Sequence, residues 1–144
     1  MTGLTAVAQT SDAPPMREPD YNKPKLFTAY PDQIPVDITV FTSLLGNSVG
    51  TTVDQNIGAG GSFRISGEVV SVASKYENRI NSIAIRSSNF GGARLSFSRI
   101  INEDGSISYT GRLISKQYGD VYELQNINNH FTLVKRNYYD LVNE

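Results

Sequence analysis

The chemically versatile side chains in this chain are few. His130 is its one imidazole, so a two-histidine mechanism is excluded; a histidine–carboxylate site would have to recruit Asp120, Glu123 or Asp140, expected on adjacent strand ends. The plainer role for His130 is a solvated residue at a hairpin tip. With no cysteine, disulfides, thiolate zinc sites, iron–sulfur clusters and cysteine nucleophiles are impossible within the chain, and no H-E-x-x-H pair is present. No metal and no cofactor is expected. Gly58-Ala59-Gly60-Gly61 could suggest a phosphate cradle, but it lacks the Lys-Ser or Lys-Thr of a P-loop and leads through Ser62-Phe63 into a strand-like pattern instead of a helix. It reads as an inter-strand connection, and Gly91-Gly92 as another. Serines at 66, 71, 87, 88, 96 and 98 resemble the wet side of a sheet, and Glu103-Asp104 sit in a turn, without the burial that raises a carboxyl pKa. No catalytic residue is assigned, and a non-enzymatic protein is expected.

Arginine is the more informative residue. Residues 1–60 carry three basic side chains against six acidic ones, whereas residues 61–144 carry ten against eight. Arg64, Arg86, Arg94, Arg99 and Arg112 all fall on expected strands. Sharing one face with Tyr109 or Tyr122, several of them would form a basic–aromatic surface able to hold an acidic protein, a glycan or single-stranded nucleic acid. The alternative is an ordinary solvated face whose arginines blunt exposed edges. The candidate contact residues are Arg94, Arg99 and Arg112, with Tyr109 and Tyr122, because a hairpin at Gly105 brings their strands together. Arg94 and Arg99 are five apart, so they face opposite ways unless a bulge intervenes.

The elements that must position these residues are all-β. Short runs rich in Val, Ile, Phe, Tyr and Thr alternate with Gly, Asn and Asp clusters from Leu26 onward, the spacing of an antiparallel meander that forms a small barrel or a sandwich-like roll. Val36 to Phe41 reads as a strand with Val36, Ile38 and Val40 on one face, and Ser48 to Val53 as another. A long strand runs from Phe63 through Ile65 to Val72, with a bulge or bend near Gly67 where the apolar phase changes. Ile83 and Ile85, then Leu95 and Phe97, point inward while Arg94, Ser96 and Ser98 point outward. Asp104-Gly105 is the clearest turn and closes a hairpin onto Ile107, Tyr109 and Leu113. A Gly119-Asp120 turn leads into Val121–Leu124, and residues 126–129 turn that strand back into Phe131–Val134, making five or six meandering strands between residues 62 and 136. Tyr138 to Val142 is either a short C-terminal helix or one more edge strand.

The 144 residues suffice for one β domain, expected over residues 25–144. All six prolines, from Pro14 to Pro35, lie in the first quarter, and residues 1–24 read as an unstructured leader. Ala6-Val7-Ala8 followed by Gln9 has the small-x-small pattern of a signal-peptidase site, without the basic start and the apolar stretch of roughly 7 to 15 residues that a functional signal needs. The leader is either the stump of a longer signal peptide or a chance match; the first reading makes the protein secreted or periplasmic. A formal charge of −1 and a pI near 5.8 remove the global signature of a nucleic-acid binder, so no nucleic-acid partner is expected. No run approaches the roughly 20 apolar residues that span a bilayer.

The stretch Ser98-Arg99-Ile100-Ile101-Asn102-Glu103-Asp104-Gly105-Ser106-Ile107-Ser108-Tyr109-Thr110-Gly111-Arg112-Leu113-Ile114-Ser115, with Gly119-Asp120-Val121-Tyr122-Glu123-Leu124 and Lys135 to Glu144, resembles the non-catalytic N-terminal β-regions of secreted bacterial zinc metallopeptidases. The resemblance spans roughly the second half of the chain and implies a prodomain-like or accessory module that folds separately and covers or escorts a peptidase. It carries over no catalytic residue. The expected function is therefore protein–protein contact, with a protein, a secreted peptidase among the possibilities, as partner. The alternative is a small β-barrel that carries an apolar or lipid-like ligand.

Overall fold

The alternating apolar residues after Phe63 do form strands, and each turn between them delivers the chain to the neighbouring ladder. The computed structural model describes residues 23–142. Its strands are β1 (Gln33–Pro35), β2 (Thr52–Asn56), β3 (Arg64–Lys75), β4 (Ile80–Ser87), β5 (Arg94–Ile101), β6 (Ile107–Ile114), β7 (Asp120–Ile127) and β8 (His130–Asn137). They form one antiparallel sheet in the order β1-β8-β7-β6-β5-β4-β3-β2, so β3 to β8 are the expected meander. The sheet curls into a half-barrel. Its two ends meet at one point, where Val36 bridges Gly58 and the Asp37 N–H donates to the Ile57 carbonyl at 3.0 Å.

The turns follow their residues. Gly105 takes φ +89° in the β5–β6 hairpin, as Asp-Gly predicts, and Asn128 and Asn129 both take positive φ between β7 and β8. The C-terminal stretch is helical, as α2 (Tyr138–Val142).

Three expectations need correction. The stretch read as a strand from Val36 to Phe41 is instead mostly helix α1 (Ile38–Leu44), capped by the Asp37 carboxylate, which accepts the Thr39 N–H at 3.0 Å. Its buried residues are Phe41 and Leu44, three apart on one helical face; Phe41 stacks on Phe97 of β5 at 4.8 Å, so α1 lies against the inner face of the sheet. The bulge in β3 falls between Val69 and Ser71, beyond Gly67. Gly67 serves close approach instead, since a Cβ there would lie 2.1 Å from the Arg86 carbonyl oxygen. The strand expected from Ser48 to Val53 also starts later, at Thr52, and runs on to Asn56.

The core is aromatic. Phe27, Phe41, Phe63, Phe97 and Tyr122 are fully buried, with Phe90 beside them; Phe27 meets Tyr122 at 4.7 Å and Phe63 stacks on Phe90 at 5.1 Å. Each such ring contributes roughly 1.5–3 kcal/mol by burial.

The segment before β1 is held by polar clamps. Asp120 accepts the Leu26 N–H at 2.6 Å and the Phe27 N–H at 2.9 Å, while Lys135 Nζ donates to the Phe27 and Tyr30 carbonyls, each at 2.8 Å. Lys23 and Pro24, read as the end of the leader, belong to this anchored stretch: Lys23 donates to the Lys116 carbonyl and Gly119 N–H donates to that of Pro24. Residues 1–22 of the expected leader lie outside the described residues.

Candidate functional site

Side-chain alternation along β4 to β7 sorts the arginines between the two faces of the sheet. The pairing of β5 with β4 and with β6 is continuous, without a bulge. Arg94 therefore shares the outer face with Ser96 and Ser98, whereas Arg99 shares the inner side with Leu95 and Phe97. Arg99 lies opposite Asn81 and Tyr109, and its Nε is buried with no hydrogen-bond partner among the described residues. The expectation that the hairpin gathers Arg94, Arg99 and Arg112 is thus corrected: Arg94 and Arg112 share the outer face, and Arg99 lies across the sheet from them.

The tyrosines belong to the interior. Tyr122 is fully buried and donates its hydroxyl to the Pro31 carbonyl at 2.7 Å; burial raises its pKa, with the Asp120 and Asp32 charges adding to the effect. Tyr109 is half-buried, stacks on Phe97 at 5.8 Å and meets Phe131 edge-on at 5.2 Å. Neither forms a surface with Arg94 and Arg112.

In their place the structure adds Arg86. Arg86 on β4 lies directly opposite Arg94 on β5, both exposed; Arg112 on β6, opposite Ser96, is the diagonal neighbour of Arg94. Arg86 and Arg94 have no salt bridge or side-chain hydrogen bond among the described residues, whereas Arg112 lies 3.6 Å from Glu123. The signal that could have found Arg86 is register. It precedes Arg94 by a Ser-Ser-Asn-Phe-Gly-Gly-Ala connection that folds β5 back onto β4.

Glu123 is the acid that tempers this face. It accepts Arg136 Nη1 at 2.8 Å and Gln125 Nε2 at 3.3 Å. Burial pushes its carboxyl up, but the hydrogen bonds from Arg136 and Gln125 and the charges of Arg136 and Arg112 outweigh that and hold it below its ordinary value. Near it β6 and β7 splay apart, pairing only at Arg112–Glu123 and Leu113–Tyr122. An open groove of about 560 Å³ results, lined by Ser96, Ser98, Thr110, Arg112, Glu123 and Leu124 among others.

The side chains capable of acid–base chemistry do not converge. His130 begins β8 opposite Ile127, whereas Asp120 pairs with Asn137 at the far end of the same hairpin, seven residues along β7 and roughly 24 Å away at about 3.4 Å per residue. Glu123 is committed to Arg136, and Asp140 follows β8 in α2, also at the end remote from His130. Gly46-Asn47-Ser48-Val49-Gly50 matches G-x-S-x-G in spacing, although no such motif was expected. Here exposed Ser48 leads from a helix into a strand, the reverse of the strand-to-helix elbow that activates such a serine. Among the described residues no three of His, Asp and Glu gather closely enough to hold a metal ion, and no helix is long and apolar enough to cross a membrane.

Fold and face together define an antiparallel half-barrel with a basic patch on its outer side. No family model matches the chain, and neither a curated protein nor a solved structure is similar to it.

Proposed function

We propose that the chain is a non-enzymatic β domain that acts through protein–protein contact, as an accessory or inhibitory module, and that its outer face around Arg86, Arg94 and Arg112 receives an acidic surface of the partner. The observation that carries this reading is the cross-strand Arg86–Arg94 pair, both exposed and neither in a salt bridge among the described residues, with Glu68 of β3 on the other side of Arg86. Like charges directly opposite one another in a sheet are destabilising by an amount comparable to the roughly 0.2–1 kcal/mol of a favourable pair, and an anionic partner removes that repulsion. Glu68 and Glu123 on the same face, and a net charge of −1, favour a protein over the uniformly anionic backbone of a nucleic acid. Residence outside the cytoplasm is part of the proposal, supported by Ala6-Val7-Ala8. The resemblance to peptidase β-regions suggests a secreted peptidase as the partner class. The alternative of a barrel carrying an apolar ligand draws no support from the interior, which α1 and the aromatic cluster occupy.

The test is a titration of a fluorescently labelled Asp/Glu-rich peptide at low ionic strength, read by anisotropy. Wild type binds it, the Arg86→Ala/Arg94→Ala double variant binds up to about tenfold more weakly, and Arg79→Ala, remote at the β3–β4 turn, binds like wild type. Equal binding by all three, or equal binding of a Lys-rich peptide, refutes the assignment.

A further inference from the structure

The two ends of the sheet differ in how far they are covered. β1 is three residues long and ends in Pro35, which cannot donate to a further strand. At the other end, β2 covers only the first part of β3, pairing Thr52 to Asn56 with Glu68 to Arg64. The turn before β2 closes that ladder: Gly50 N–H donates to the Val69 carbonyl and Val69 N–H to that of Thr51. Beyond Val69, β3 continues to Lys75 with β4 on one side and no strand among the described residues on the other. Every residue from Ser71 to Lys75 is exposed.

This bare edge reads Val70-Ser71-Val72-Ala73-Ser74, a β-prone run with no proline and no charge before Lys75. Val49, Val72 and Tyr76, at 59, 43 and 71% exposure, lie at its start, middle and end. They are three of the five large exposed apolar side chains among the described residues. Edges left this way are templates for a further strand.

We propose that β3 pairs through this edge with β3 of a second copy of the chain, antiparallel about a two-fold axis at Val72. The occupant follows from the edge's own symmetry. In that register Val72 faces Val72, and Ser71 faces Ala73, so apolar meets apolar, small meets small, and no like charges stand opposite. Lys75 of each copy falls opposite Val69 of the other, where Gly50 and Thr51 already hold the edge, so the new ladder ends at Val70 and Ser74. A formal charge of −1 leaves little repulsion between copies. The new ladder, Val70 to Ser74, is about 17 Å long at roughly 3.4 Å per residue. That is short beside a standard interface, and the dimer is accordingly weak and dependent on concentration.

The test uses the full 144-residue chain, whose lack of cysteine makes single-cysteine variants unambiguous. Sedimentation velocity over a wide concentration range shows a monomer–dimer equilibrium for wild type. Val72→Lys, which sets two like charges opposite each other, weakens association about tenfold or more. Val72→Cys cross-links into a covalent dimer under mild oxidation, because directly opposed Cβ atoms lie about 4.5–5.5 Å apart, whereas Ser96→Cys on the outer face of β5 does not. If Val72→Lys fails to fold, the cross-linking comparison alone decides. A wild type that stays monomeric at every concentration, a dimer indifferent to Val72→Lys, or cross-linking no faster at position 72 than at 96 overturns the proposal.

Discussion

Replacing Asp120 by alanine removes the acceptor for two backbone donors, the N–H groups of Leu26 and Phe27. The carboxylate is 4% exposed, so water cannot freely take its place. A hydrogen bond to a charged group is worth roughly 1.5–3 kcal/mol, which puts the loss of two for Asp120→Ala at about 3–6 kcal/mol. At this chain length each kcal/mol moves Tm by roughly 3–5 °C, so the melting temperature should fall by about 10–30 °C. Asp120→Asn keeps one acceptor oxygen but turns an N–H₂ toward the second donor, and should lose roughly half as much. Thermal melts followed by circular dichroism measure the total, and amide exchange at Leu26 and Phe27 reports whether the loss is local to the clamp. A cost below about 1 kcal/mol for Asp120→Ala, or unchanged exchange at both amides, would refute the claim that this carboxylate fastens the segment before β1.

Three further outcomes are expected. Gly67→Ala should lose at least about 2 kcal/mol in chemical denaturation, because its Cβ would meet the Arg86 carbonyl oxygen at 2.1 Å; Gly111→Ala, whose nearest neighbours stand at 3.3 and 3.4 Å, should lose less than about 1 kcal/mol. Asp37→Ala should cost about 1 kcal/mol through loss of the α1 cap, and Asp37→Ser should restore most of it; equal stability of the two variants would show that the cap does not matter. The Glu123 carboxyl has a lowered pKa in the fold, so its contribution is complete above the ordinary value of 4.5 and disappears as pH falls through the lower folded value. Denaturation midpoints measured between neutral and acidic pH should therefore drop less steeply for Glu123→Gln than for wild type.

The strands were readable wherever alternation and turn chemistry agreed. Leu95 and Phe97 inward with Arg94 and Ser96 outward, and a hairpin at Asp104-Gly105, follow from a period of two and a glycine free to take positive φ. Helix α1 was hidden because Val36-Asp37-Ile38-Thr39-Val40-Phe41 alternates like a strand and is rich in β-branched residues. Its helical signals were Asp37 at a capping position and the three-residue spacing of Phe41 and Leu44, and packing on Phe97 outweighed propensity. The basic face was legible in part. Parity alone separated Arg94 from Arg99, but choosing Arg86 as the third member needed the β4–β5 register, which a six-residue connection does not specify. The burial of Tyr122 was also beyond local reading, since its neighbours Phe27 and Pro31 lie more than 90 residues earlier in the chain.

The polar clamps on residues 23–35 also set the order in which the molecule can be completed. Hairpins from β3 to β8 close between sequence neighbours, whereas Asp120 reaches back 93 and 94 residues to Phe27 and Leu26, and Lys135 reaches back 108 to Phe27. During synthesis residues 23–35 leave the ribosome early, yet their seat is built from the last two strands. The chain therefore carries this segment unseated until the last strands are made, and its seat forms only when β8 has emerged. Contacts of such long range are the slow ones to close. A truncation ending before Lys135 would consequently release the segment before β1 as well as the end.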